Sequence, residues 1–185
     1  GLDVYYRDFY DGLGDRDTAF SFAMGGRSYL QRALMLAGVT TPKRWLDVGA
    51  GHGHFSLCAR EVWPETRFDG LDMSDTVAEA QHRGWIENAY LGLFPELAGD
   101  LVGAYDVVSM HHYLEHTRDP GAELDAAATV LEGGGHLLVE VPDPESRLGR
   151  RLGALWGPWF QPQHQHFVPV GNLVEALIAR GFSVV

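Results

Sequence analysis

The residues best suited to chemistry begin at Leu46. Leu46 to Phe55 reads Leu-Asp-Val-Gly-Ala-Gly-His-Gly-His-Phe, with glycines directly after a short apolar run. Glycine at such a point permits a tight turn and lets the backbone approach a ligand closely. The helix expected behind it offers unpaired N–H groups. A second apolar run ends in Asp72, about twenty residues on, where an acid can accept both hydroxyls of a ribose. The two features together indicate an adenosine-containing cofactor. The dinucleotide fingerprint is G-x-G-x-x-G, whereas this loop reads G-x-G-x-G after Asp47, and no Lys-Ser/Thr follows. Phosphate binding therefore has little support, although an NAD-dependent oxidoreductase stands as a rival.

Alternating short elements must hold these groups. Arg44 to Val48 reads as a strand, His54 to Val62 as a helix halted by Pro64, and Arg67 to Leu71 as a strand ending at Asp72. Ser74 to His82 is a short helix with Ser74 as N-cap. Ala89 to Leu91, Tyr105 to Met110 and Gly135 to Val141 supply further strands; Gly121 to Leu131 and Gly171 to Arg180 are helices. Upstream, Gly26 to Ala37 is helical and Gly38 stops it, behind an aromatic stretch holding Tyr5, Tyr6, Phe9 and Tyr10. This alternation predicts an α/β fold with a doubly wound, Rossmann-like, mostly parallel sheet and helices on both faces. Ligands in such sheets sit beyond the carboxyl ends of the strands.

The chain has 185 residues, about one domain's worth. Residues 1–40 read as an N-terminal helical cap and 41–185 as the cofactor-binding domain. Fourteen basic against 25 acidic side chains leave a net charge of -11, which argues against nucleic acid and anionic membranes as general partners. No run is long and apolar enough to span a bilayer, and one cysteine allows no internal disulfide. A cytoplasmic location is the default expectation. Phe182 to Val185 reads as the beginning of a sixth strand.

The run Asp47 to Gly53 resembles the first motif of the class I S-adenosylmethionine (SAM)-dependent methyltransferases. Phe68 to Ser74 is similar to the strand that presents their ribose-binding acid. Tyr105 to His116, with Asp119 and Pro120, resembles the fourth-strand motif of the small-molecule branch, which includes quinone O-methyltransferases. Leu131 to Pro142 and His166 to Phe182 are similar to the loop, fifth strand and helix that follow. The resemblance covers about 27–185 in order. It implies a seven-stranded sheet, so the closing C-terminal hairpin looks truncated here. It further implies that Asp47, Gly49, Ala50, Gly51 and Gly53 line the cofactor, Asp72 holds the ribose, and Met73, Leu93 and Phe94 lie near adenine. His111 would sit near the methionine moiety, and Arg27 would bind its carboxylate.

Methyl transfer from a sulfonium is an in-line displacement, so the protein mainly aligns the acceptor and excludes water. A hydroxyl acceptor gains from a base, and imidazole suits that task near neutrality. His111, His112 and His116 at the end of the fourth strand, and His164 and His166 after the fifth, are the candidate bases. His112, Glu115 and His116 would share a helical face and could hold a divalent metal. The site reading favours no metal, and some quinone O-methyltransferases carry Glu where His112 stands. Trp156, Trp159 and the N-terminal tyrosines could cap an apolar acceptor site or complete a core or dimer surface. The expected function is SAM-dependent methylation of a small-molecule acceptor, O- or C-linked. A catalytically silent SAM-binding scaffold is the alternative from another class, and a homodimer is an open possibility.

Overall fold

The computed structural model describes residues 25–159 and 164–185. The N-terminal aromatic stretch lies outside the described residues. The chain divides into two compact units, with the boundary between Gly92 and Leu93.

In the first unit, α1 (residues 25–34) precedes β1 (Arg44–Val48), α2 (His54–Val62), β2 (Arg67–Asp72), α3 (Thr76–His82) and β3 (Ala89–Leu91). β1 pairs in parallel with β2 from Arg44 opposite Arg67 to Val48 opposite Leu71, and β2 pairs in parallel with β3. β1 and β2 are buried along most of their length, as expected of strands covered on both faces. Trp45 and Phe68 are fully buried, with ring centroids 5.5 Å apart, and Phe55 of α2 stands 5.4 Å from Trp45. Burial of each such side chain contributes about 2–3 kcal/mol. Trp63, just past α2, donates its indole N–H to the Ala33 carbonyl on α1 at 2.9 Å. Asp75 rather than Ser74 occupies the N-cap of α3, without a side-chain bond. Ser74 is held one step earlier, because its backbone N–H is committed to Asp72.

In the second unit, α4 (Phe94–Leu97) and a short 3-10 turn lead to β4 (Tyr105–His111), α5 (Pro120–Val130), β5 (Leu131–Glu140), α6 (Arg147–Leu152) and α7 (Val170–Ile178). Asp119 caps α5 by accepting from the Ala122 N–H at 3.1 Å, and Pro120 sits at the first helical position. β5 starts at Leu131, earlier than its glycines suggest. It pairs in parallel with β4, with a bulge: Tyr105 faces Leu131, yet Val107 faces His136. Gly135 permits this, since a Cβ there would stand 2.9 Å from Leu131 Cδ2 and 3.1 Å from the Asp106 carbonyl oxygen.

The sheet order is β3-β2-β1-β4-β5. Strand order runs one way through β3 and the other way from β4, the mark of a doubly wound, Rossmann-like α/β fold. Among the described residues, Phe182–Val185 forms no strand. A strand exists only by pairing, and the sheet's outermost member on that side is β5.

Candidate functional site

At the carboxyl end of β1, the first unit builds a site from backbone. Gly49, Gly51 and Gly53 have φ of 77°, 49° and 76°, the left-handed region that only glycine enters without strain. The turn is pinned by the Gly49 N–H, which donates to the Leu71 carbonyl at 2.8 Å, and by the Gly53 N–H, which donates to Ala50. Gly53 also lets α3 approach: a Cβ there would lie 2.7 Å from the Ala80 Cβ. Asp72 ends β2 beside this loop. Its Oδ2 accepts from the Gly51 N–H and its Oδ1 from the Ser74 N–H, both at 2.8 Å. Burial pushes the Asp72 carboxyl above the ordinary value, and the backbone N–H groups of Ser74, Gly51 and Met73 oppose that shift.

The other first-unit candidates fall around this loop or away from it. Asp47 is buried, Ala50 is half-buried, and Met73 is exposed next to Asp72. Arg27 is exposed on α1. His52 and His54 were not singled out from sequence, although one stands within the glycine run and the other directly after it. His52 Nδ1 lies 3.7 Å from Glu79 Oε2. His54 packs 5.2 Å from the Trp85 ring, and burial, followed by the charges of His52 and Arg83, lowers its imidazole.

A cluster of imidazoles and carboxylates stands at the carboxyl ends of β4 and β5. His111 Nδ1 lies 3.5 Å from Glu140 Oε2. His112 bridges two acids, with Nδ1 3.2 Å from Glu115 Oε1 and Nε2 3.3 Å from Glu140 Oε1. Hydrogen bonds to Glu115 and then to Glu140 raise its imidazole to about 9, so at neutral pH it is a cation. A group that keeps its proton at pH 7 is a poor general base, which disfavours His112 for that task. His112 also has φ 52°, the one positive φ of a non-glycine among the described residues. Its partners hold it there, as strained backbone requires.

Glu115 is 1% exposed, and its Oε2 is buried with no hydrogen-bond partner among the described residues. His116 Nε2 stands 4.0 Å from Glu115 Oε1, and the His116 and His164 ring centroids are 4.9 Å apart. His164 Nδ1 meets the Pro158 carbonyl at hydrogen-bonding distance. A carbonyl only accepts, so that nitrogen carries the proton and Nε2 carries the lone pair. The Gln165 and His166 N–H groups both donate to the Glu115 carbonyl, and Gln165 Nε2 donates to the His116 carbonyl at 3.0 Å. His166 Nε2 donates to the Arg118 carbonyl, which turns that ring to a structural task.

The second unit thus gathers His111, His112, His116 and His164, with Glu115 and Glu140 between them. Glu140 was missed from sequence; its one signal is its place at the end of a strand beside β4. Phe94 is fully buried in the core, so of the expected adenine-side pair only Leu93 presents a surface. Trp156 is buried against Trp159 and Phe167, and Trp159 is partly exposed. Of the His112, Glu115 and His116 set weighed as a possible metal site, His112 is engaged with two carboxylates. Glu115, His116 and His164 instead place one ligand atom each within 4.8 Å of one another. That N, N, O set suits a zinc-like ion.

Comparison with known proteins agrees with this arrangement. A family model described as a methyltransferase domain matches residues 25–185. The chain is 32% identical over 172 residues to a ubiquinone biosynthesis O-methyltransferase of Marinobacter nauticus, covering 85% of this chain and 69% of the relative. It is 26% identical over 159 residues to the enzyme of the same name from Bordetella avium, covering 80% of this chain and 65% of that relative. A Thermotoga maritima SAM-dependent methyltransferase superposes with a TM-score of 0.70 at 20% identity, over 99% of this chain and 80% of that one. Human N-acetylserotonin methyltransferase in complex with SAM superposes with a TM-score of 0.68 at 21% identity, over 91% of this chain and 49% of that one. Among the described residues no helix is long and apolar enough to cross a membrane. The chain belongs to the methyltransferase-domain family and is a SAM-dependent methyltransferase.

Proposed function

We propose that this enzyme methylates a hydroxyl group of a small, ring-bearing acceptor, and that His164 is the general base. The carrying observation is the His164 ring: its Nδ1 proton is committed to the Pro158 carbonyl, so Nε2 carries the lone pair, beside His116 and the buried Glu115. The likeness to relatives named O-methyltransferases supports oxygen as the accepting atom.

The cofactor fits the first unit. The positive-φ glycines leave its backbone bare of side chains, and Asp72 is a half-buried carboxyl already aimed by two N–H donors. Asp72 holds the ribose hydroxyls, Gly49 to Gly53 form the floor, and Met73 covers the adenine. When bound, SAM supplies an electrophilic methyl group whose transfer neutralises its sulfonium. The base takes the hydroxyl proton as the new C–O bond forms, and His164 Nε2 receives it. Glu115, beside His116, favours the single imidazolium that results on His164. His112, between Glu115 and Glu140, holds both carboxylates in place. A divalent ion, if bound, would be held by Glu115, His116 and His164; it would take up the His164 lone pair and lower the pKa of an acceptor hydroxyl in place of the base.

The test is a panel of hydroxylated aromatic, quinol and sugar acceptors, read by S-adenosylhomocysteine release. A hydroxylated ring that turns over with wild type, and about 100-fold more slowly with His164→Asn, supports the reading. The acidic limb of the pH–rate profile should disappear in that variant. Turnover only with carbon or amine acceptors, or an unchanged His164→Asn profile, overturns it.

A further inference from the structure

We infer that Tyr113 and Glu123 form a strap that sets the position of the turn from His111 to His116, which makes Tyr113 a positioning residue for methyl transfer. The turn carries His111, His112, Glu115 and His116 within six residues. The inference rests on the reading that this cluster serves the acceptor.

The backbone of this turn needs a fastening. His112 stands at φ 52°, a conformation that persists only where the surroundings over-determine it. The start of the turn is fixed to β5, since the His112 N–H donates to the Glu140 carbonyl at 2.9 Å. Its far end runs into Asp119, the cap of α5. Between these points lies a 3-10 turn, Leu114–His116, which has the poorer hydrogen-bond geometry of its class. Tyr113 ties that stretch to α5. Its carbonyl accepts from the His116 N–H at 3.0 Å, and its hydroxyl donates to Glu123 Oε2 at 2.9 Å. A shift of the phenol is therefore passed to His116, whose ring stands 4.9 Å from that of His164.

Glu123 is the exception on its helix. The other buried positions of α5 are Leu124, Ala126, Ala127 and Val130, all apolar. Glu123 is 6% exposed, and a carboxyl so placed is costly unless it is hydrogen-bonded. An apolar side chain could fill the same space, but it could not fix where the Tyr113 oxygen stands. A satisfied buried polar pair specifies one arrangement where packing alone allows several. A carboxyl also offers an acceptor oxygen in either protonation state, so the strap holds across the neutral range.

Steady-state kinetics with an acceptor that turns over, beside calorimetry with SAM, test the strap. Tyr113→Phe removes the hydroxyl and Glu123→Leu removes its acceptor; each should lower kcat by about tenfold through misplacement of the turn. SAM affinity should stay within about twofold of wild type, because the cofactor floor is built by other residues. The double variant should be no slower than either single one, since both break the same bond. Glu123→Gln keeps an acceptor oxygen and should hold kcat within about twofold of wild type. Histidine Cε1–H signals in NMR give a readout apart from turnover: Tyr113→Phe should move those of His112 and His116 and leave those of His52 and His54 in place. Circular dichroism verifies that each variant is folded.

An unchanged kcat in Tyr113→Phe overturns the inference, as do unmoved His116 signals where no acceptor turns over. So does a slow Tyr113→Phe beside a normal Glu123→Leu, since the hydroxyl would then act on the acceptor directly. A Glu123→Gln as slow as Glu123→Leu overturns it too, by making the charge rather than the bond the working feature. The base assignment fails separately, through an unchanged His164→Asn beside a slow Tyr113→Phe.

Discussion

The two units hold their chemistry by different means. In the first, the working groups are backbone N–H groups and one carboxylate, placed by glycines whose φ no other residue adopts cheaply. In the second, they are ionisable side chains that hold one another: His112 between Glu115 and Glu140, and His116 against His164. A site made largely of backbone is rigid, with Asp72 as its titratable member. A site made of mutually paired charges changes with pH and fails as a group when one member is removed.

The sharpest way to break that contrast is through the glycine turn. Gly53→Val would impose a strained φ and a clash with Ala80, and Asp72→Ala would remove the acceptor of two N–H groups. Both should weaken SAM binding by about 100-fold or more in calorimetry, equivalent to about 3 kcal/mol. Unchanged affinity in Asp72→Ala would sink the ribose assignment.

His112→Ala comes next. It leaves the buried Glu115 carboxylate without its cation and should lower stability by about 1–2 kcal/mol, half-exposure of the imidazole having reduced the figure. The pH signature follows from the raised pKa. Stability from His112 is fully present below about 6.5, its unfolded value, and is lost as pH rises toward about 9. Thermal melts should show that slope in wild type and not in the variant.

A smaller effect belongs to Glu123. It accepts the Tyr113 hydroxyl at 2.9 Å, and burial raises its carboxyl to about 7. A buried acid of this kind favours the neutral form. Its contribution is intact below about 4.5 and lost as pH rises through 7. Glu123→Gln should therefore melt higher than wild type at pH 8 and equal it at pH 4, by about 1 kcal/mol at most. The windows of Glu123 and His112 barely overlap, so the two slopes are separable. Smallest of all, Arg67→Ala removes an exposed pair with Glu87 at 2.9 Å and should change stability by no more than about 0.5 kcal/mol.

The same contrast explains what was legible in the residues. Bounds for β1, α2, β2 and β3 follow from glycine and proline punctuation around apolar runs, and the cofactor loop lies within one contiguous window. The imidazole cluster was only half legible. His112 is read as a base or a metal ligand until its carboxylate partners are known, and Glu140 lies on another strand, 28 positions away. His116 meets His164 and Gln165 through the fold, at separations no local pattern reports. The burial of Phe94 was not legible for a related reason. A side chain after a strand can face a ligand or the core, and only packing decides.

The bulge in β5 has a consequence for how this chain can change length. Between paired positions, β4 advances by two residues and β5 by five. A single insertion in an ordinary strand turns every later side chain to the opposite face. Here Gly133 and Gly134 have open space where a Cβ would be, and the ladder resumes only at His136. Length variation is therefore absorbed before the register that aims Glu140 is set. Among homologues, insertions and deletions in this strand should collect at residues 132–135, and the stretch from His136 to Glu140 should stay constant in length.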